Sequence, residues 1–108
     1  MIGRIWHGYT KPENTDAYEN LLREEIFINI RNRHIPGFQE IQLFRRALTN
    51  EVEFITIMWF NDIESVREFA GEDYAVAVVP PKARELLAHF DERSQHYELR
   101  ERLRGEQA

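Results

Sequence analysis

The stretch "EVEFITIMWF", residues 51–60, decides the fold because it is the clearest β-strand in the chain. Its apolar side chains fall in both alternating sets of positions, namely Phe54, Met58 and Phe60 in one set and Ile55, Ile57 and Trp59 in the other. Alternate residues of a strand point to opposite faces of the sheet. Both faces of this sheet must therefore be covered by other apolar groups.

The segments around this strand predict a ferredoxin-like fold. Residues 38–48 alternate as another strand, and the turn at Thr49–Asn50 is short enough to make an antiparallel hairpin. The remaining patterns predict a strand over 2–9, a helix over 14–32, a helix capped by Asn61 and ended by Gly71, a helix from Pro80–Pro81 to about His89, and a strand over 93–99. The order β-α-β-β-α-β is typical of an α+β domain with an antiparallel sheet and a central first strand.

The uncovered face of the sheet predicts a second copy of the chain. Helices cover only one face of this fold, so a homodimer with two sheets packed face to face is the economical cover for the other. The length of 108 residues favours one domain, which we expect to span residues 1–99 and to be followed by a polar tail over 100–108.

Composition excludes several classes of function. The net charge of −5 argues against nucleic-acid binding, which needs a basic face. The chain has no cysteine, which excludes thiol chemistry, and its four histidines lack metal-ligand spacing, so we expect no metal site. No apolar run is long enough to span a membrane and no secretory signal is visible, so we expect a cytoplasmic protein without a membrane partner.

Three stretches resemble the antibiotic biosynthesis monooxygenase superfamily. They are "IGRIWHG" at 2–8, "WFNDIESVREFAGED" at 59–73 and "HYEL" at 96–99. The resemblance covers residues 2–99 and implies a dimeric α+β barrel. It also implies several chemistries: oxygenation of anthrone- or quinol-like aromatics without a cofactor, haem degradation, and isomerisation of small signalling molecules.

The resemblance to haem-degrading members is incomplete. Those proteins use a polar residue on the first strand, a tryptophan at the end of the third strand, and a histidine on the following helix as iron ligand. His7 and Trp59 are similar to the first two, but residues 68–74 contain no histidine. This departure argues against haem degradation, and Tyr74 would be the only substitute ligand in that stretch.

His7, in the stretch "RIWHGYT" at 4–10, is the candidate catalytic residue. It lies near the end of the first strand and Trp59 near the end of the third. We expect these strands to be parallel neighbours, so that the two ends lie together. A histidine can accept a proton from a phenolic substrate and leave an electron-rich anion that reacts with oxygen. The alternative is that His7 packs in the sheet and bonds a neighbouring group.

Four further residues are candidates for substrate binding: Trp59, Glu25, Tyr74 and His96. Glu25 interrupts the apolar stripe of the long helix, so it either reaches solvent or pairs with His7 as a base. Tyr74 can orient a polar aromatic ligand, and His96 faces either the same pocket or the subunit interface. A second apolar face near the helix end, at Ile26, Phe27 and Ile30, suggests another subunit as a further helix partner.

These observations favour a homodimeric, cofactor-independent monooxygenase that acts on a small aromatic, quinol-like or polyketide-like substrate. In this hypothesis His7 is the proton acceptor, Trp59 is a wall of the pocket, and Glu25 or Tyr74 is a polar partner. One alternative is a non-catalytic or stress-related dimer that binds a small apolar ligand. A third interpretation is haem binding or degradation.

Overall fold

An antiparallel sheet built around the first strand forms one layer of the structure, a computed structural model that describes residues 1–106. Its strands are β1 (Ile2–Thr10), β2 (Phe38–Ala47), β3 (Val52–Phe60), β4 (His89–Phe90) and β5 (Gln95–Glu98). The order is β2-β3-β1, and both β4 and β5 pair with the free edge of β1. The predicted α+β, ferredoxin-like architecture with a central first strand is confirmed. The strand predicted over 93–99 is observed as β5, and the short β4 before it begins where a helix end was predicted.

The helices form the second layer. After a 3-10 turn at Pro12–Asn14, the long helix comprises α1 (Thr15–Leu21), a π-helical segment (Leu22–Ile26) and α2 (Phe27–Asn32). The other helices are α3 (Ile63–Ala70) and α4 (Pro81–Leu86). Residues 99–106 contain no helix or strand, and the end of the predicted tail at 107–108 lies outside the described residues.

Two predicted helix ends need correction. The N-cap of α3 is Asp62 rather than Asn61, because the Asp62 carboxylate accepts a hydrogen bond from the Ser65 amide at 2.9 Å. Helix α4 ends at Leu86 rather than near His89, because the Ala88 amide donates to the Tyr9 carbonyl at 2.7 Å and draws the chain into β4.

The π-helical segment unites the two apolar faces that the sequence pattern separates. A π turn takes more residues than an α turn, so side chains spaced four apart stay on one side of the helix. Tyr18, Leu22, Ile26 and Ile30 accordingly line the same cavity against the sheet. The expected second face of this helix therefore packs on its own sheet, because the prediction assumed uniform α periodicity.

Strands β1 and β3 are antiparallel, so the predicted parallel arrangement is wrong. The long helix returns the chain to start β2 in the direction of β1, and the tight hairpin then reverses β3. His7 pairs with Ile55, whereas Trp59 pairs with Gly3. The two candidate side chains therefore share a face but are separated by four residues, about 13 Å along the strands.

The two faces of the sheet differ in what covers them. Even-numbered residues of β3 face the helices, and Phe54 and Phe60 are fully buried there against Tyr18 and Phe69. The odd-numbered residues of β1 and β3 form what we call the open face, to which no helix within residues 1–106 contributes a packed side chain. No helix within residues 1–106 has the length and apolar character required to cross a membrane.

Candidate functional site

A cavity lies between the helices and the helix-covered face of the sheet. The room it leaves for water-sized molecules is about 60 Å³, and the whole depression with its open mouth is about 510 Å³. Its lining is mainly apolar and includes Trp6, Leu22, Ile26, Ile30, Met58 and Phe69. The polar residues Arg4, Thr56 and Ser94 also line it. A concave apolar site with a few polar groups is the usual form of a small-molecule site.

Arg4 is the only charged residue on the wall of this cavity within the described chain. It is 3% exposed, and its guanidinium donates hydrogen bonds to the backbone carbonyls of Tyr74 and Val76. No carboxylate of residues 1–106 forms an ion pair with it, and burial lowers the pKa of Arg4 to about 10. The site therefore contains a buried cation whose partners are all neutral.

His96 and Tyr74 both contact Arg4. The His96 Nε2 atom is 3.0 Å from the Arg4 guanidinium and must accept this hydrogen bond, so its ring is neutral. Burial, with a further contribution from the Arg4 charge, lowers the pKa of His96 to about 4. The Tyr74 ring meets the His96 ring edge-on at 5.1 Å. These two predicted residues thus hold Arg4 in place, and neither of them lines the cavity.

Ser94 presents a buried hydroxyl at the cavity wall. The residue is 6% exposed, and its Oγ atom has no hydrogen-bond partner among residues 1–106. Its backbone is held because the Ser94 amide donates to the Ala75 carbonyl at 2.6 Å. Ser94 lies in the break between β4 and β5, where the chain leaves the edge of β1.

Trp6 forms the part of the cavity wall that follows Arg4 on β1. Its indole Nε1 donates to the Asp91 carbonyl at 2.8 Å. A Cβ atom at Gly8 would lie 2.7 Å from the Trp6 ring, so the ring occupies the space that a side chain would take. The gap that Gly8 leaves on the face opposite His7 is therefore filled by Trp6.

His7 lies on the open face, on the opposite side of the sheet from the cavity. Its Nδ1 atom is 2.9 Å from Asp91 Oδ2, and the two side chains are 29% and 34% exposed. Nearby, Glu53 is bonded to Arg46 and Tyr9, and the Arg46 hydrogen bond holds the pKa of the Glu53 carboxyl below its usual value. The open face thus has its own polar cluster, in which each acid has a partner.

The predicted common pocket of His7, Trp59 and Glu25 is not formed. Trp59 lies on the open face and donates from its indole nitrogen to Gln42 at 2.9 Å. Glu25 is half exposed at the cavity mouth and pairs with Lys82 at 3.0 Å, with the sheet between it and His7. The prediction failed because it assumed parallel strands and uniform α periodicity. The catalytic role of His7 stays a prediction, and it would require the chemistry to take place on the open face.

Sequence reasoning missed Arg4, Trp6 and Ser94. For Arg4 and Trp6 a signal exists, since they alternate with Ile2 and must share its face of the central strand. An arginine on the helix-covered face of a central strand has to be buried, and buried arginines need a reason. For Ser94 no comparable signal exists, because its burial depends on the break between β4 and β5.

Comparison with known proteins supports the fold. No protein-family model and no curated protein matches the sequence. Among solved structures, the chain is similar to the crystal structure of a "putative antibiotic biosynthesis monooxygenase from Bacillus cereus", with a TM-score of 0.60 over 99% of this chain and 97% of that one. The chain has an antibiotic biosynthesis monooxygenase-like fold. The sequence identity is 11%, so this similarity concerns the monooxygenase-like fold and not the activity.

Proposed function

We propose that this protein is a cofactor-independent monooxygenase that binds a small aromatic, quinol-like or polyketide-like substrate in the cavity between helices and sheet. The observation that carries the proposal is the buried Arg4 cation on a mainly apolar wall. Oxygenation without a cofactor needs a site that stabilises the substrate as an anion. The fold shared with a protein described as a monooxygenase supports the same choice.

Arg4 would act on the acidity of the bound substrate. A fixed positive charge in a dry site stabilises the enolate or phenolate and lowers the pKa of its conjugate acid. The proton leaves to water through the mouth of the cavity. The resulting carbanion reduces oxygen, so that a ring methylene becomes a ketone: one oxygen atom enters the product and the other leaves as water with both methylene hydrogens. The substrate supplies all of the electrons.

Oxygen uptake with a panel of anthrones and quinols tests this proposal. The wild type should consume oxygen in step with product, and Arg4→Gln should lower kcat/KM by about 100-fold. Arg45→Gln is the matched control, because Arg45 is a surface residue paired with Asp16 and Glu19. Circular dichroism establishes that each variant is folded.

The variant His7→Ala tests which face of the sheet carries out the chemistry. We expect this variant to keep its activity within about threefold, because the sheet lies between His7 and the cavity. Loss of activity in His7→Ala with retention in Arg4→Gln would move the chemistry to the open face. No turnover of any panel member by the wild type would contradict the oxygenase proposal and leave ligand binding.

We also propose that a second copy of the chain covers the open face. The end of this face away from His7 carries Ile5, Ile57 and Trp59, with Tyr97 at its β5 edge. Phe44 lies on β2 in the same cross-strand row as His7, and both Phe44 and Tyr97 are more than half exposed. Face-to-face packing of two such sheets buries these groups. Sedimentation at micromolar concentration should give a dimer for the wild type and for Arg23→Glu on the outer helix surface, and a monomer for Ile57→Glu. A monomeric wild type would contradict this arrangement.

A further inference from the structure

We propose that the cavity recognises its aromatic ligand as an oxyanion, a carboxylate or an ionised phenol, through a two-point site made of the Arg4 guanidinium and the Ser94 hydroxyl. The proposal deepens the proposed function, since it names the charge state and the recognition groups of the ligand. It also assigns a role to the Ser94 hydroxyl, which has no hydrogen-bond partner among residues 1–106.

The first argument is the unbalanced charge of Arg4. A buried cation normally has a counter-ion, because the removal of a charge from water is costly. Arg4 instead bonds to two carbonyls and a neutral histidine, and no residue that lines the cavity is acidic. These three contacts leave about two of the five guanidinium N–H groups without a protein acceptor. An anion in the cavity would supply both the charge and the acceptors.

The second argument is the unpaired hydroxyl of Ser94. Buried side-chain hydroxyls almost always have a hydrogen-bond partner, so an unpaired one on a cavity wall is free to bind a ligand atom or a water molecule. His96 pairs across the strands with Arg4, and Ser94 lies two residues before His96, just ahead of β5. Both Arg4 and Ser94 line the cavity, and the proposal is that one oxyanion accepts from both.

The third argument is the apolar remainder of the wall. Trp6, Met58 and Phe69 surround the space beside Arg4, and Ile26 and Ile30 close its helix side. Aromatic and thioether groups of this kind pack well against a flat ring. The mouth remains apolar at Val78, which is 49% exposed. A flat ring system with one anionic group matches this distribution.

The main experiment compares 2-naphthoate with 2-naphthamide, which has nearly the same shape and no charge. Binding is measured by calorimetry and by quenching of Trp6, in a Trp59→Phe background that removes the other tryptophan. We expect the carboxylate to bind at least about tenfold more tightly than the amide, because only the carboxylate neutralises Arg4. Equal or tighter binding of 2-naphthamide would overturn the proposal.

Variants assign the effect to the two residues. Arg4→Gln should remove the preference for the carboxylate, and Arg45→Gln should keep it. Ser94→Ala should weaken 2-naphthoate by about fivefold while the amide changes by less than about twofold. If Arg4→Gln does not fold, Ser94→Ala decides, and an unchanged affinity for 2-naphthoate in that variant counts against the two-point site.

A second probe tests the ionised phenol. The ionised form of 4-nitrophenol absorbs visible light, so its apparent pKa can be read directly in the presence of saturating protein. Wild type should lower this pKa by about one unit, and Arg4→Gln should not. An unchanged pKa of 4-nitrophenol in the presence of the wild type would overturn the proposal, as would equal or tighter binding of 2-naphthamide.

Failure of this inference is distinguishable from failure of the proposed function. Both probes measure binding and neither is oxidised in the assay. Carboxylate preference without oxygen uptake on the quinol panel would keep the anion site and remove the oxygenase. Oxygen uptake without carboxylate or phenol preference would keep the oxygenase and overturn the anion site.

Discussion

The two faces of the sheet each carry a histidine from an edge or central strand, and the partners of these histidines differ. On the open face His7 is bonded to a carboxylate, Asp91, and both side chains reach solvent. On the helix-covered face the partner of His96 is a cation, Arg4. His7 and Asp91 satisfy each other's hydrogen bonding, whereas a neutral histidine beside a buried arginine leaves the arginine charge for another group to balance.

This difference indicates which face of the sheet has polar groups that a ligand could satisfy. The acids and bases of the open-face cluster satisfy one another, as Glu53 does with Arg46 and Tyr9. The helix-covered face instead leaves a guanidinium without a carboxylate and a hydroxyl without an acceptor. A titratable residue in a strand is therefore a weaker sign of a ligand site than a buried charge or polar atom for which the protein supplies no partner.

The largest change in stability is expected from a comparison of buried and exposed phenylalanines on the two faces of the sheet. Phe54→Ala should lower the free energy of unfolding by about 3–5 kcal/mol, because Phe54 is fully buried and its ring meets Tyr18 at 4.9 Å. Phe44→Ala, on the open face, should cost less than about 1 kcal/mol, because that side chain is 52% exposed.

Urea unfolding at two protein concentrations measures both losses. A contribution of Phe44 to a dimer contact would make the midpoint of the wild type depend on concentration more strongly than that of the variant. Equal losses for the two variants at low concentration would contradict the assignment of the core to the helix-covered face.

Alanine substitutions at two glycines of β1 compare how tightly each face of the sheet is packed. Gly8 lies under Trp6 on the helix-covered face, and a Cβ atom there would be 2.7 Å from the indole ring. Gly3 lies under Trp59 on the open face, where the corresponding distance is 3.1 Å. Gly8→Ala should therefore cost about 1–3 kcal/mol and displace Trp6. Gly3→Ala should cost less, because a Cβ atom at Gly3 approaches Trp59 less closely than one at Gly8 approaches Trp6.

Urea unfolding and the fluorescence of single-tryptophan versions of the two glycine variants check this. We expect a shift of the Trp6 emission in Gly8→Ala and little change of the Trp59 emission in Gly3→Ala. The opposite order of the two stabilities would show that the open face is the more tightly packed one.

Much of the fold follows from local pattern in the sequence. Residues 51–60 alternate on both faces, and the turn at Thr49–Asn50 joins them to the preceding strand. With the helices this leaves few topologies. The relative direction of β1 and β3 was misjudged, although the hairpin determines it: the reversal at Thr49–Asn50 makes β3 run against β2 and so against β1.

The site was less predictable because it depends on contacts distant in sequence. Arg4 is buried by carbonyls about seventy residues away, and Ser94 by a break in the last strand. The π-helical segment moves Glu25 off the stripe that α periodicity assigns to it, and no residue type in the segment indicates this change. Strand alternation, in contrast, is enough to predict that Arg4 and Trp6 share a face, so this part of the site could have been predicted from the sequence.

The pH dependence of stability tests the neutral state of His96. Its pKa is about 4 in the folded protein against 6.5 for an unperturbed histidine, so between these values the unfolded state binds more protons. Stability is therefore complete above about pH 6.5 and falls as the pH is lowered toward 4. Since His96 is only half-buried, solvent screening reduces the loss to about 1–2 kcal/mol.

Urea midpoints at pH 4.5 and 7 for the wild type and His96→Gln measure this loss. The glutamine amide oxygen still accepts from Arg4 and does not titrate, so the variant should lose less stability on acidification. The matched variant His7→Gln removes a histidine paired with a carboxylate and should not reduce the acid sensitivity in this way. Identical pH profiles for wild type and His96→Gln would contradict a neutral His96 held by Arg4.

The smallest effect on stability is expected for a change at Glu25. This change compares the rim of the cavity, where Glu25 lies, with the wall that contains Arg4. Glu25 and Lys82 form an exposed pair at the mouth, with side chains 45% and 68% exposed. Such pairs contribute little, so Glu25→Gln should change the free energy of unfolding by less than about 0.5 kcal/mol. The carboxylate is outside the wall that holds Arg4, so the affinity for 2-naphthoate should change by less than about twofold. A tenfold gain on removal of this acid would mean that the rim, and not Arg4 alone, sets the charge preference of the cavity.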